Sequence, residues 1–158
     1  MLRALLFLAI TIFPAMAAAQ GLTVGFGEME QDSSLPVEVT SDSLSVNQND
    51  GSAVFIGNVV VIQGEMRMTA DKVNVYYLED QSAIEKMIAV GDVLLVRGPD
   101  AAEGNRAIYS PEAGTVKMYG DVLVVQETTT IASDRMTVHL NNNTAEMHGR
   151  VKTILRNQ

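Results

Sequence analysis

The sequence predicts an all-β fold: a sandwich whose long strands bend from one sheet into the other. Three observations support this prediction. A phrase recurs about every 30 residues, apolar and polar residues alternate with period 2, and the phase of that alternation reverses within single strands. The fullest copy of the phrase is residues 57–77, GNVVVIQGEMRMTADKVNVYY. It is rich in Val and other residues that favour strands, and no segment of the chain shows helical periodicity.

Each copy opens with a glycine, a polar residue and a run of branched apolar residues. The four opening glycines are 34, 29 and 29 residues apart: Gly57, Gly91, Gly120 and Gly149. This spacing indicates a repeated structural unit, and the alternation makes that unit a pair of strands. The second half of the phrase begins with Ala-Asp or Ser-Asp and recurs at residues 41–46, 70–77 and 133–140. In the weakest copy, Asn105 and Arg106 stand where this pair is expected.

The alternation changes phase at the aspartate of each pair. Before Asp71 the apolar residues are even-numbered, as in Met66 and Met68, and after it they are odd-numbered, as in Val73 and Val75. A regular strand would turn its second half inside out at this point. An extra residue, as a bulge or a corner between two sheets, repairs the register. The same reversal occurs at two further aspartates, Asp42 and Asp134. We interpret all three as structural residues that hydrogen-bond their own backbone at a bend.

The first 19 residues resemble a secretory signal peptide. Arg3 precedes the apolar stretch 4–13, Pro14 interrupts it, and three alanines lead to a predicted cleavage between Ala19 and Gln20. The apolar stretch is short for a membrane span, although an uncleaved anchor is the alternative. Cleavage leaves 10 Lys and Arg against 19 Asp and Glu, a net charge of −9. Such acidity argues against a nucleic-acid partner.

The rest of the chain suits one domain, which we place at residues 37–156. Residues 20–36 are acidic and glycine-rich, and we expect a flexible leader there. No cysteine is present, so stability does not depend on disulfides. The longest predicted loop is 98–104. The predicted strands are 37–46, 53–62, 65–77, 83–96, 105–110, 115–125, 129–140 and 145–155.

The sequence offers no catalytic constellation. It has no cysteine nucleophile and no glycine-rich phosphate loop. His139 and His148 flank a turn, but a zinc site requires further ligands at defined spacings. We therefore predict that the protein is not an enzyme and that it uses no metal and no cofactor.

The ordered set of glycine openings and switch pairs resembles the LptA/OstA family of periplasmic lipopolysaccharide-transport proteins. The resemblance covers about Val37 to Leu155. It implies a β-jelly roll of two open antiparallel sheets with an apolar interior. It also implies that the protein carries lipopolysaccharide, through its lipid A moiety, between the two membranes of a Gram-negative cell. The implied partners are similar domains of inner- and outer-membrane components and further copies of the chain, joined head to tail.

A lipid carrier needs an apolar trough, and flexible methionines suit mobile acyl chains. The same methionines could equally fill an ordinary core. The alternation leaves open which face of the glycine openings points inward, Val59 and Val61 or Val60 and Ile62. The candidate residues that line the lipid path are Phe55, Met66, Met68, Val73, Val75, Met136, Val138 and Leu140.

The two ends of the predicted domain carry opposite charges. The N-terminal end is acidic, and the C-terminal end is basic through Arg150, Lys152 and Arg156. Opposite charges on open sheet edges favour head-to-tail pairing, although edge charges also serve to prevent pairing. The candidate assembly residues are Val37, Glu38, Val39, Asp42, Arg150, Lys152 and Ile154. Two alternatives stay open: an exported scaffold protein without lipid, and the membrane-anchored inner-membrane partner with the same fold.

Overall fold

The computed structural model describes residues 21–28, 32 and 34–157 of the 158-residue chain. The predicted signal peptide lies outside these residues. Within them, no helix is long and apolar enough to cross a membrane. The chain forms eleven strands: β1 (Leu22–Gly25), β2 (Glu38–Thr40), β3 (Ser43–Val46), β4 (Ala53–Gln63), β5 (Met66–Tyr77), β6 (Ile84–Arg97), β7 (Asp100–Ser110), β8 (Thr115–Val125), β9 (Thr129–His139), β10 (Thr144–His148) and β11 (Lys152–Leu155).

The strands form one antiparallel sheet in the order β1-β10-β9-β8-β7-β6-β5-β4-β2. At one end β2 and β3 both pair with β4, and near the other end β10 and β11 both pair with β9. The sheet therefore divides at each end. Each of the six long strands from β4 to β9 contributes to both parts of the divided sheet, as expected of strands that bend.

Bulges fold this sheet into two layers that face each other. The register shifts in the middle of every long pair, for example between Ile56 and Val59 and between Tyr119 and Val122. Layer 1 contains β2, β11 and residues 59–63, 66–70, 93–97, 100–104, 122–125 and 129–133. Layer 2 contains β1, β3, β10 and residues 53–56, 72–77, 84–90, 106–110, 115–119 and 135–139. This is the jelly roll of two open antiparallel sheets that the sequence predicts, so the predicted fold class is confirmed.

The bend, which we call the crease, is built from the repeated glycines. Gly91 has φ +87° and Asp92 has φ +43°, two consecutive left-handed residues that insert the bulge. The carboxylate of Asp71 on the neighbouring strand lies against the Cα of Gly91, where a side chain would otherwise stand. Asp42 faces Gly57 and Asp134 faces Gly149 in the same way. Each switch pair therefore packs against the next glycine opening.

Two details of the predicted crease were wrong. At two of the three aspartates, the partner is the side chain that follows the facing glycine rather than the aspartate's own backbone: Asn58 donates to Asp42 at 2.9 Å, and Arg150 donates to Asp134 at 2.6 Å. In the weakest copy, Asn105 stands at the aspartate position and faces Gly120, so the pair is Gly104-Asn105. The switch pair predicted at residues 105–106 was therefore placed one residue too far along the chain.

Two predicted irregular segments contain strands. Residues 22–25 of the predicted leader form β1, which pairs with β10 because its backbone completes the open edge of layer 2. The predicted loop 98–104 is a short turn at Gly98 and Pro99, after which β7 begins at Asp100. Ala101, Ala102 and Gly104 are small residues with little apolar signal of their own. Their place in the sheet is set by pairing with β6 and β8.

Candidate functional site

The space between the layers is lined by apolar side chains from both of them. Seven of the eight predicted lining residues are buried, with at most 2% exposure, and Phe55 packs against them as a partly buried residue. Layer 1 contributes Met66 and Met68, and layer 2 contributes Val73, Val75, Met136 and Val138. The structure therefore brings the predicted set together on one interior surface.

The predicted list of lining residues omits part of this surface. The further buried side chains include Met87, Leu95, Met118, Ile131 and Met147. All six methionines of the described residues thus face the interior. The sequence could have indicated Val116 and Met118. They alternate with polar residues in the same phase as Val138 and Met136, their partners on β9.

The structure also decides which face of the glycine openings points inward. Val59 and Val61 are fully buried, whereas Ile62 is 39% exposed. The corresponding residues in β6 and β8 behave alike, with Val93 and Val122 inside. Periodicity could not decide this, because both faces of these runs are apolar.

The margin opposite the crease, which we call the seam, is closed by side-chain contacts. Near the β2 end, the hydroxyl of Tyr109 in layer 2 donates to the amide oxygen of Gln63 in layer 1. The amide nitrogen of Gln63 donates to the carbonyl of Leu35 at 2.7 Å. Tyr109 is completely buried, and burial raises its pKa to about 12. A depression of about 350 Å³ lies beside this contact, lined by Leu35, Val37, Gln63, Leu78, Ala83, Ile84, Pro111 and Glu112.

Farther along the seam, the N-terminal segment closes the gap between the layers. The side chain of Phe26 is fully buried, and its carbonyl accepts a hydrogen bond from Arg97 at 3.0 Å. Arg97 also donates to Asn143 and forms an ion pair with Glu65, at 3.0 and 3.5 Å. Burial lowers the pKa of Arg97, and the negative charge of Glu65 opposes that shift. A buried cation requires such partners, so the position of the Arg97 side chain is well defined.

The N-terminal segment makes two further contacts at the seam. The amide of Gly27 donates to the carboxylate of Asp100 at 2.9 Å, and Gln126 donates to the carbonyl of Gly25 at 2.7 Å. Of the four buried polar or charged residues in the described part of the chain, three therefore lie on the seam: Gln63, Arg97 and Asp100. Sequence analysis gave no indication of this, because each is isolated in its strand.

The apolar interior surface continues to the ends of the layers, where it meets solvent. In layer 2, Leu44 and Val46 pair with the inward residues Phe55 and Ala53, yet they are 56% and 58% exposed. At the opposite end of layer 1, Leu155 of β11 is 73% exposed. Exposed apolar residues at strand edges are typical of surfaces that another strand covers.

The predicted assembly residues lie at these ends. Val37, Glu38 and Val39 belong to or adjoin β2, which pairs only with β4 among the described strands. Lys152 and Ile154 lie in β11, which pairs only with β9 among the same strands. Asp42 and Arg150 lie on the crease, where each already has a partner within the chain. The charge of Arg150 is therefore partly neutralised by Asp134, whereas the partner of Asp42 is a neutral amide.

The two histidines lie on the outer face of layer 2, away from the interior. Glu146 lies between them, 3.3 Å from His139 and 3.5 Å from His148. In the described part of the chain, no group of three His, Cys, Asp or Glu side chains is arranged to hold a metal ion.

Comparison with known proteins adds the family. The sequence model of the "LptA/(LptD N-terminal domain) LPS transport protein" family matches residues 38–144, more than half of the chain. The chain belongs to this family. An uncharacterized protein of Rhizobium meliloti, strain 1021, is 24% identical over 127 residues, which cover 76% of this chain and 68% of that protein.

The fold agrees with a solved structure of the same group. LptH of Pseudomonas aeruginosa, described as the LptA-homologous periplasmic component of the lipopolysaccharide transport device, superposes with a TM-score of 0.71. The match covers 80% of this chain and 99% of LptH at 20% identity. At 20% identity, the similarity to LptH establishes the fold alone. Lipopolysaccharide transport, in general terms, follows from membership of the family.

Proposed function

We propose that this protein carries lipopolysaccharide across the periplasm with the acyl chains held between the two layers. The observation that carries the proposal is the interior surface, where six methionines and many valines are buried, and where the buried polar residues of the described chain lie on the seam or the crease. Methionine adapts its shape to mobile apolar ligands. The protein acts as a carrier without catalysis and without a cofactor.

Acyl chains enter through the seam. The crease cannot separate, because six continuous strands cross it. The seam is held only by non-covalent contacts, chiefly Tyr109 with Gln63 and Arg97 with Phe26. The depression of about 350 Å³ beside Gln63 lies within the size range of ligand pockets and marks the point where a chain first inserts.

Copies of the protein join head to tail and extend the interior surface from one to the next. The exposed Leu44 and Val46 at one end and Leu155 at the other are the apolar surfaces that this contact covers. Added backbone hydrogen bonds at β2, β3 and β11 hold the joint. The same edges bind the similar domains of the inner- and outer-membrane components. A signal peptide cleaved after Ala19 delivers the chain to the periplasm.

A cross-link over the seam tests the route of entry. The protein has no cysteine, so a Gln63→Cys, Tyr109→Cys variant reacts with a short bismaleimide only at the two introduced thiols. We expect the cross-linked form to lose binding of fluorescent lipopolysaccharide, whereas the same variant before cross-linking retains it. A Thr137→Cys, Glu146→Cys variant, which joins two strands of layer 2 on the outer face, is the control. Unchanged binding by the cross-linked seam would exclude this route.

A further inference from the structure

Several cationic side chains lie together on the outer face of layer 2. The register places Arg106 opposite Tyr119, Tyr119 opposite Arg135, and Arg135 opposite His148, on four successive strands. Lys117 lies two residues from Tyr119 on the same face. Side chains that are directly opposite in a sheet have Cβ atoms about 5 Å apart. Arg106, Lys117 and Arg135, which we call the basic patch, therefore lie within reach of one ligand.

The cations of the basic patch form no ion pair: among the described residues, no carboxylate oxygen lies within 4 Å of Arg106, Lys117 or Arg135. The neighbouring carboxylate of Asp134 is attracted by the charge of Arg135, but it is bound by Arg150, through three contacts of 2.6 to 3.2 Å. Glu146 contacts the two histidines instead.

The basic patch concentrates positive charge in an acidic protein. Lys117 lies diagonally from Arg106 and Arg135 on the neighbouring strands, and the chain has only 11 Lys and Arg against 19 Asp and Glu. Three of these few cations nevertheless share one patch. An anion bound at the patch would account for this concentration of positive charge.

The surface at the patch has the shape and the donors that a phosphate group requires. A depression of about 270 Å³ is lined by Lys117, Tyr119, Arg135, Met136, Thr137 and His148. Arg and Lys provide charge-assisted hydrogen bonds, and the hydroxyls of Tyr119 and Thr137 provide further donors. The imidazole of His148 is oriented by Glu146, 3.5 Å from its Nε2 atom.

We propose that the basic patch binds a phosphate group on the outer face of layer 2, at a site separate from the apolar interior. The phosphate is either a free ion or part of a lipid headgroup at a membrane surface. The chemistry of recognition is the same in both cases: two or three cations and two hydroxyls around one tetrahedral anion.

Nuclear magnetic resonance with the ¹⁵N-labelled protein tests the site. Inorganic phosphate is added at constant ionic strength, with sodium chloride as the reference. We expect saturable shifts at the amides of Lys117, Tyr119, Arg135, Thr137 and His148. The Lys117→Gln, Arg135→Gln variant should bind about tenfold more weakly or not at all. Arg67→Gln, which removes an exposed cation from the outer face of layer 1, is the matched control and should bind normally.

Vesicles distinguish the two sources of phosphate. Co-sedimentation with phosphatidylglycerol vesicles, but not with phosphatidylcholine vesicles, and its loss in the Lys117→Gln, Arg135→Gln variant, would assign a lipid headgroup. Binding of inorganic phosphate without vesicle binding would assign a free ion. If the double variant behaves like the Arg67→Gln variant with both probes, or if neither probe binds, the proposal is wrong. Both experiments are independent of lipopolysaccharide binding, so their outcome does not bear on the carrier function.

Discussion

The hydroxyl of Tyr109 and the side-chain oxygen of Gln63 form a hydrogen bond that joins the two layers of the protein at the seam. The two residues are 46 positions apart in the chain, and both are buried. A buried phenol can donate this bond only in its neutral form. The contact therefore couples the closure of the seam to the protonation of one side chain.

We expect the protein to lose stability at alkaline pH through Tyr109. Its pKa rises from the ordinary 10.0 to about 12 in the folded state. A raised pKa stabilises the fold fully below pH 10, and this stabilisation disappears as the pH rises through 12. Urea unfolding at pH 9 and at pH 11 measures the effect. The Tyr109→Phe variant should show a smaller decrease between the two pH values, and the exposed Tyr77→Phe variant should behave as wild type. An equal decrease in all three proteins would contradict the assignment.

The Val138→Asp variant tests the interior. Val138 is fully buried, and an unpaired buried carboxylate costs several kcal/mol or remains protonated. We expect reduced stability, measured by thermal unfolding, and loss of lipopolysaccharide binding in the fraction that stays folded by circular dichroism. Arg67 is exposed on the outer face of layer 1, so the Arg67→Asp variant should change stability by no more than about 0.5 kcal/mol and bind normally. Normal binding by folded Val138→Asp would remove this position from the lipid path.

The crease is tested by Gly91→Ala. The new methyl group would collide with the carboxylate of Asp71 and would be held at φ +87°, which we expect to destabilise the fold by roughly 1–3 kcal/mol. Asp71→Ala in the same chain should recover part of that loss, because it removes the collision. Gly25→Ala is the control, since its Cβ would meet only the carbonyl of Asn143 at 3.9 Å. Strictly additive effects of the two substitutions would contradict the proposed contact.

Head-to-tail assembly is tested by sedimentation velocity over a range of protein concentrations. We expect oligomers that grow with concentration and shrink at high salt. Lys152→Glu should weaken the joint, because Lys152 is exposed on β11 and has no acidic partner within 4 Å among the described residues. Arg150→Glu should add less, because Arg150 is already bound to Asp134. A monomer under all conditions would exclude self-assembly.

The sequence was sufficient to predict the bent strands because the reversal of phase at Asp71 has only one structural solution. A strand that keeps a buried face on both sides of such a reversal must contain a bulge. The positions of Met68 and Val138 inside the sandwich followed from the same argument. Periodicity could not decide between Val59 and Val60, where both neighbours are apolar.

Long-range contacts explain what the sequence did not predict. Strand β1 has little alternation, and its pairing with β10 joins residues more than a hundred positions apart. The backbone of Phe26 bonds to Arg97 and Asn143, both distant in the chain, and Arg97 is buried among Phe26, Asn143 and Glu65, of which Glu65 offsets its charge. No local pattern encodes these contacts. The misplacement of Asn105 had a simpler cause: Gly104 replaced the Ala or Ser that marked the other copies.

Photo-crosslinking in living cells tests the transport of lipid through the interior most directly. A photoreactive phenylalanine derivative at Phe55 fits the existing aromatic site, which faces the interior at the edge of layer 2. The same derivative at Ile56, the next residue, points to the outer face and is the control. We predict a lipopolysaccharide adduct at position 55 and none at position 56. Equal adducts at both positions, or none at position 55 in cells that are exporting lipopolysaccharide, would contradict carriage between the layers.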